Sequence, residues 1–450
     1  MTAPRGHAIV IGAGIAGLLA ARVLADAFER VTIVERDELD AKETVRRGVP
    51  QAWHLHGLLD RGRRIMEELY PGFTEQAVSD GATVAEVLIG TRWYVGGSRL
   101  AAGSTGLTSV IATRSLLETL LRRRTLRLRG IELLTRTTAQ GLVGDAQRVR
   151  AVTVLGPAGT QTLAADLIID AGGRGSRITQ WLTEIGAEAP DEERLDVDLG
   201  YASRFFRHRP GQLGGQASVI VSTGANGRGG GAVRVEGDRW HVTLAGMLGD
   251  HPPVDDKGFR DYAASLSAPD IHAIVVGSEP LGDAVPYRFR TAVRRRFDRQ
   301  SSPPAGLVVL GDALCAFNPL YAQGMTVAAL QAAALRECLA AGAADLPARY
   351  YAAAADALTV AWQLAAGSDL RHPGVEGRRT LRTRLTNVFV TRVQRVAHHD
   401  PRVARTFLRV AHLVDPPAAL TAPGTLRRIL LSSPSREART THRRTQETHA

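Results

Sequence analysis

Gly12, Gly14 and Gly17 stand in the stretch GAGIAG, between a short apolar run, HAIVI, and an apolar stretch of helical composition, LLAARVLADAF. A strand feeding this glycine pattern into a helix suits one task. The first glycine permits a tight turn, the second lets a pyrophosphate approach the backbone, and the third lets helix and strand pack closely. Ile15 and Ala16 fill the helix start, where free N–H groups and the positive end of the helix dipole favour phosphate. RVTIVER reads as the next strand and ends in Glu35 and Arg36. An acid about twenty residues beyond the glycines can grip a ribose diol. Strand, helix and acid together indicate dinucleotide binding, although their spacing does not separate NAD from FAD.

A second stretch, RRGVPQAWHLHGLL, puts Arg46, Arg47, Gly48, Val49, Gln51, His54 and His56 close together. Metal binding requires ligands converging from one side. Histidines spaced i, i+2 on a helix point apart, and no third histidine or cysteine lies nearby, so no metal site is expected. A Ser-His-Asp hydrolase is disfavoured, because no GxSxG elbow appears. Two readings stay open for each histidine: capping and packing at a helix start, or lining a reaction chamber.

The third stretch, LVVLGDALCAFNPLYAQGM, runs from a buried strand through Gly311 and Asp312 to Pro319, Tyr321 and a helix opened by Gly324 and Met325. A carboxylate at the carboxyl end of a buried strand needs a partner, and a ligand hydroxyl is a natural one. Leu314, Cys315 and Phe317 read as core.

These residues need elements to position them. The opening βαβ unit organises an α/β fold. Residues 60–80 read as helix, 83–112 as antiparallel strands, 113–123 as helix, and RVRAVTVLG and QTLAADLIIDAGGRG as strands. Alternation over 196–248 indicates a second, mostly antiparallel sheet in which Trp93, Tyr94, Tyr201, Phe205, Phe206 and Trp240 alternate as core residues do, most of them for packing and some available to line a pocket. Arg204 interrupts one of its apolar strands and is a candidate polar group for the chamber. The expected organisation is a Rossmann-like dinucleotide-binding domain in three parts (1–82, 113–195 and 286–345), strands of a second domain at 83–112, the β-sheet of that domain at 196–285, a helical C-terminal region at 346–431 and a flexible tail at 432–450. The helix from Thr380 to Ala397 carries Leu381, Leu385, Val388, Phe389, Val393 and Val396 on one stripe, expected to pack on the protein with its arginines in water rather than to lie on a membrane.

Composition is that of a globular protein, with 44% hydrophobic and 22% charged residues. The net charge of +11 is scattered and lacks a recognition motif, so no nucleic-acid partner is expected. Cys315 and Cys338 are the only cysteines, which excludes a disulfide framework and fits a reducing cytoplasm. No stretch is long and apolar enough to span a bilayer.

GAGIAG, IATRSLLETL, DLIIDAGGRGSR and GDALCAFNPLYAQGM together resemble the single-component FAD monooxygenases with the para-hydroxybenzoate hydroxylase fold. RRGVPQAWHLHGLL, FNPLYAQGM and AWQLAAGSDLRHPGVEGRR are similar, more finely, to the bacterial branch containing polyether-antibiotic epoxidases, with squalene epoxidases more distant. The resemblance implies FAD as cofactor, which makes the three-part Rossmann-like domain an FAD-binding domain and the 83–112 strands and 196–285 sheet a substrate-binding domain. It places Arg114 near the FAD phosphates or ribityl chain, Asp170 at the head of a flavin-supporting turn, Asp312 on the ribityl chain, and the Gly324 helix at the flavin pyrimidine edge. It sets the backbone of Gly48 and Val49 against the isoalloxazine, Arg46 or Arg47 near phosphate or the incoming nicotinamide, and Gln51, His54, His56, Pro319 and Tyr321 near the chamber. Two departures stand out, because serine is expected where Gly173 stands and glycine where Ala322 stands.

The resemblance further implies reduction by NADPH or NADH, or by a separate flavin reductase. Oxygen transfer from a flavin C4a-hydroperoxide would then epoxidise an alkene of a hydrophobic polyketide or terpenoid precursor. The alternative is hydroxylation of a phenolic substrate, and reduction of prenyl chains is a third reading. Halogenation is disfavoured, because Lys42 and Lys257 are the only lysines and no two tryptophans lie close together.

Overall fold

The apolar run after His7 becomes the central strand, Arg5–Ile11, of a five-stranded sheet. A computed structural model describes residues 5–39, 46–342 and 344–432. Lys42, and the expected tail at 432–450 beyond Ser432, lie outside the described residues. The strands run Leu307–Val309, Leu167–Asp170, Arg5–Ile11, Phe28–Val34, Ile131–Leu134, all parallel. Such a sheet is covered on both faces, which accounts for its unbroken apolar strands. The helices Ile15–Leu24, Arg114–Thr125 and Gly324–Ala340 supply one cover, and a three-stranded antiparallel sheet, Thr138–Gly144, Val149–Gly156 and Gly159–Ala164, shares its core. Register matters most for the site: Ile11 lies beside Asp170, and Asp170 beside Val309. The carboxyl ends of three strands thus deliver Gly12, Ala171 and the 310–312 turn to one edge, where ligands of open α/β sheets bind.

A second sheet has eight strands, in the order Cys315–Ala316, Val285–Arg295, Glu192–Arg207, Arg239–Gly246, Arg228–Val235, Ser218–Val221, Thr91–Val95, Ser98–Arg99. Its pairings are antiparallel except that between Ser218–Val221 and Thr91–Val95. Alternation divides the faces. Ala202, Phe206, Trp240, Val242 and Leu244 pack beneath the helices Asp256–Ala264 and Asp270–Gly277, while Tyr201 and Ser203 turn to the opposite face.

Some elements differ from the sequence reading. QTLAADLIID is two strands in different sheets, because the chain turns the corner at Ala165 and Asp166. Residues 60–80 form two helices, Asp60–Leu69 and Phe73–Ser79, broken where Gly72 takes a left-handed φ of 78°. His54 does not begin a helix: a single tight turn, Pro50–Trp53, ends in an extended His54. The C-terminal helices are Leu346–Asp369, Leu381–Ala397, Pro401–Ala411 and Pro423–Leu431. Val393 and Val396 bury their part of the 381–397 stripe, yet Leu381, Leu385 and Val388 are 73%, 62% and 69% exposed. Only the C-terminal half of that helix packs on the protein. No described helix is long and apolar enough to cross a membrane.

Candidate functional site

A cavity of about 600 Å³ opens where the parallel sheet's carboxyl edge meets the second sheet. Gly12, with φ of 98°, turns the chain out of its strand, and a Cβ there would meet the Ala171 carbonyl oxygen at 2.6 Å. A Cβ on Gly17 would lie 1.8 Å from the Gly12 carbonyl oxygen, so Gly17 serves helix-strand contact and does not line the cavity. Gly14 faces open space, its nearest neighbour, the Arg46 guanidinium, being 4.0 Å from a Cβ. The Ile15–Leu24 helix has no side-chain cap and no acid in its first turn. The Gly324–Ala340 helix likewise starts uncapped, and Gly324 and Met325 line the same cavity. Two sets of free amides therefore converge on one space.

The acids divide into satisfied and unsatisfied. Glu35 accepts from the Ala13 N–H at 2.8 Å and the Asp37 N–H at 3.0 Å, and its carboxylate lies 2.9 Å from Arg46. Arg46 also reaches Glu118 at 2.7 Å, and Glu118 lies 3.5 Å from Arg114. Arg46 is thus the centre of a buried ion network, holding Glu35 in place rather than standing free for phosphate. Asp170 is fully buried and accepts from the Gly172 N–H at 2.9 Å and from the Ser176 hydroxyl. Burial raises its pKa and these two donors oppose the rise. It fixes the 171–176 turn, in which Gly173, at φ of 72°, occupies a position that favours glycine over serine. Asp312 contrasts with both: no hydrogen bond or ion pair reaches its carboxylate among the described residues, and burial raises its pKa against the pull of Arg174 and Arg114. It faces the cavity beside the Gly324 helix start.

The second sheet supplies a different wall. Tyr201, Tyr287 and Phe289 line it, and the Arg174 guanidinium lies over the Tyr287 and Phe289 rings while donating to the Tyr287 hydroxyl. Against this wall His54 sits 2% exposed, its ring 4.9 Å from that of Tyr287. Its Nδ1 is 2.8 Å from the Ser203 hydroxyl, which contacts the Thr243 hydroxyl at 2.6 Å. Its Nε2 is buried without a partner. Burial, with His241 adding to it, pushes the His54 pKa down to about 3. His56 donates from Nδ1 to the His54 carbonyl oxygen at 2.8 Å, which leaves the lone pair on Nε2. Burial and then Arg114 bring its pKa to about 3 as well. Both imidazoles are neutral at ordinary pH.

Ile15, Ala16, Arg36, Gly48, Val49, Gln51, Gly311 and Pro319 also line the cavity. Besides Gly17, three expected residues do not. Arg47 is exposed and outside the lining. Arg204 shares the helix-covered face with Ala202 and Phe206, where it donates to the Gly282 carbonyl at 2.6 Å and pairs with Asp256 at 2.5 Å. Tyr321 lies just behind the wall and donates to Asp369 at 2.7 Å, beside Asn318. Ala322 lines the cavity in the left-handed region, at φ of 52°, a conformation natural to the glycine expected there. The sequence reading missed Arg174, Tyr287, Phe289 and Trp181. Arg174 lies inside the DAGGRGS turn, and the i, i+2 spacing of Tyr287 and Phe289 marks one strand face. No metal-holding cluster of histidine, cysteine or acid occurs among the described residues.

Comparison with known proteins fits this geometry. The sequence pattern of the family described as FAD binding domain matches residues 6–368. Protein Rv3254 of Mycobacterium tuberculosis (strain ATCC 25618 / H37Rv) is 33% identical over 432 residues, covering 92% of this chain and 90% of the relative. Among solved structures, p-nitrophenol 4-monooxygenase PnpA from Pseudomonas putida DLL-E4 superposes with a TM-score of 0.64 at 14% identity, over 92% of this chain and 99% of that one. The flavin-dependent brominase Bmp2 superposes with a TM-score of 0.65, also at 14% identity, over 90% and 93%. These two similarities establish a shared fold.

Proposed function

The chain belongs to the FAD binding domain family, and from that premise we propose that it is an FAD-dependent monooxygenase that hydroxylates a small aromatic substrate. One observation carries the proposal: a single cavity joins a phosphate-suited edge, with an unpartnered Asp312, to an aromatic wall bearing an unpartnered imidazole nitrogen. When bound, FAD supplies the redox chemistry that activates O2, with electrons from NADPH or NADH directly or through a separate flavin reductase.

The chain's own groups then take these roles. Gly12, Gly14 and the first amides of the Ile15 helix hold pyrophosphate. Glu35, already oriented by Arg46 and the Ala13 and Asp37 amides, accepts from ribose hydroxyls. Asp312 accepts from a ribityl hydroxyl, and Arg114 approaches the same chain. The Gly324 helix start and the backbone of Gly48 and Val49 would help hold the flavin ring, the helix amides supplying stabilisation for the negative charge that reduction brings. Tyr201, Tyr287 and Phe289 would enclose substrate and exclude water. Neutral His54 presents Nε2 to a substrate hydroxyl, with the Ser203–Thr243 hydroxyl pair behind Nδ1 able to reorient as a proton shifts.

The aromatic substrate is supported by that imidazole and by PnpA, whose name specifies a phenol. Epoxidation of a polyketide or terpenoid alkene rests on the finer sequence resemblance, and an alkene makes no use of an orphaned imidazole. Halogenation is not proposed: the described lysine, Lys257, is exposed and paired with Asp261.

The test supplies FAD-loaded protein with NADPH, ¹⁸O₂ and matched panels of phenols and alkenes, and follows product mass. A labelled phenol product is expected, with His54→Phe raising the KM for phenols about tenfold through loss of one hydrogen bond in a buried site. Labelled alkene alone would replace this reading with epoxidation, and no labelled product from any reduced, FAD-loaded sample would overturn both.

A further inference from the structure

The C-terminal helices carry an apolar ridge that the cavity does not use. Leu381, Leu385 and Val388 follow one another at i, i+4 and i+7, so they form one stripe, and each stands more than 60% exposed. The next position on that stripe is Arg392, whose guanidinium donates to the Ile429 carbonyl at 3.0 Å. This bond sets the end of the Pro423–Leu431 helix beside the stripe, where Leu430 and Leu431 are 62% and 69% exposed. Neither helix contains an aspartate or glutamate. Arg382, Arg384, Arg395 and Arg427 are exposed around the ridge, and among the described residues none of them meets a carboxylate. Beside it, a groove of about 640 Å³ between the 401–411 and 423–431 helices is lined by Arg402, Arg427 and Arg428. Its one acid, Asp400, is spent on capping the 401–411 helix and on pairing with Arg428 at 2.9 Å.

We propose that this ridge docks the protein on an anionic phospholipid surface, with the leucines and Val388 entering the acyl boundary and the arginines meeting lipid phosphates. Aliphatic tips ringed by unpaired arginines are the composition of an interfacial helix, and arginine binds phosphate with a planar fork. Charge complementarity decides against the other occupants. A second copy related by a two-fold axis would set arginine against arginine. Residues 433–450 are arginine-rich and hold no Leu, Ile, Val, Met, Phe, Tyr or Trp, so they match neither the charge nor the apolar surface. An acidic protein would satisfy the arginines, but the exposed ridge is all leucine and valine, residues under-represented among protein-interface anchors, with none of the exposed aromatic side chains that dominate them. Docking would place the molecule where hydrophobic small molecules partition, and it stands independently of the FAD assignment.

The test is flotation of the purified full-length chain with vesicles of phosphatidylglycerol and phosphatidylcholine, and with phosphatidylcholine alone. The protein should float with the anionic vesicles, less so at high salt. The triple variant Leu381→Ser, Leu385→Ser, Val388→Ser should bind at least about tenfold more weakly, and Arg402→Gln with Arg427→Gln should also reduce binding. All five side chains are at the surface, and unchanged circular dichroism and Tm would confirm that folding is intact. Failure to float with anionic vesicles, equal binding to neutral ones, undiminished binding by the triple variant, or a dimer that the triple variant converts to monomer would each overturn the proposal.

Discussion

Asp312 reaches the cavity with its carboxylate unmet by any described donor, and burial raises its pKa. Two consequences separate at this one residue. Asp312→Ala should leave Tm unchanged or raise it, since an uncompensated carboxylate is removed, while FAD affinity measured by fluorescence titration falls about thirtyfold, the worth of about 2 kcal/mol for a hydrogen bond to a charged group. A loss of Tm with affinity intact would place Asp312 in the scaffold instead. Asp312 was legible in the sequence because its surroundings are local: a strand, a turn and a helix start contiguous in the chain. Arg46 was not, because its partners Glu35 and Glu118 come from separate elements. Arg204 was misplaced for a simpler reason. One residue's shift along a strand reverses the face, and nothing local marks Ser203, rather than Arg204, as turned toward the cavity.

At the scale of elements, the strand-turn-helix at 5–24 gives its glycines distinct duties that mutation can separate. Gly17→Ala forces a methyl into the Gly12 carbonyl and should cost at least about 3 kcal/mol of stability in chemical denaturation. Gly14→Ala has space and an ordinary φ of −73°, so stability should change by less than about 1 kcal/mol while FAD affinity falls. Equal effects of the two variants on stability would refute this division. Another joint depends on His412, whose Nδ1 accepts the Asp60 N–H at 3.3 Å and ties the end of the 401–411 helix to the start of the 60–69 helix. Burial lowers its pKa from 6.5 to about 4, with Asp60 opposing. Between those values the unfolded chain binds a proton that the folded one does not, so this site lowers stability by up to about 1.4 kcal/mol per pH unit as pH falls. His412→Asn removes that proton, and the wild type's stability advantage over the variant should shrink from pH 7 to pH 4. Parallel stability curves would contradict it. The helices themselves were legible from periodicity, whereas the break at Gly72 and the corner at Ala165–Asp166 were not, because a continuous apolar pattern does not reveal where the chain changes sheets.

For the whole molecule, the cavity exists only because two sheets with different patterns meet. Near-continuous apolar strands identified the parallel sheet and alternation identified the second, so the architecture was readable from 450 residues of sequence. Their junction was not, since His54, Ser203, Tyr287 and Asp312 are assembled across hundreds of positions. The exposed half of the 381–397 helix was hidden for a related reason: an apolar stripe in sequence does not say whether the protein itself covers it. The central claim is that this junction holds FAD. The most direct measurement is to load the purified protein with FAD, remove unbound cofactor, denature the protein and quantify the chromophore released. The account predicts about one FAD per chain, with a visible spectrum altered before denaturation by the enclosing wall. A colourless protein that retains no FAD after loading would contradict it.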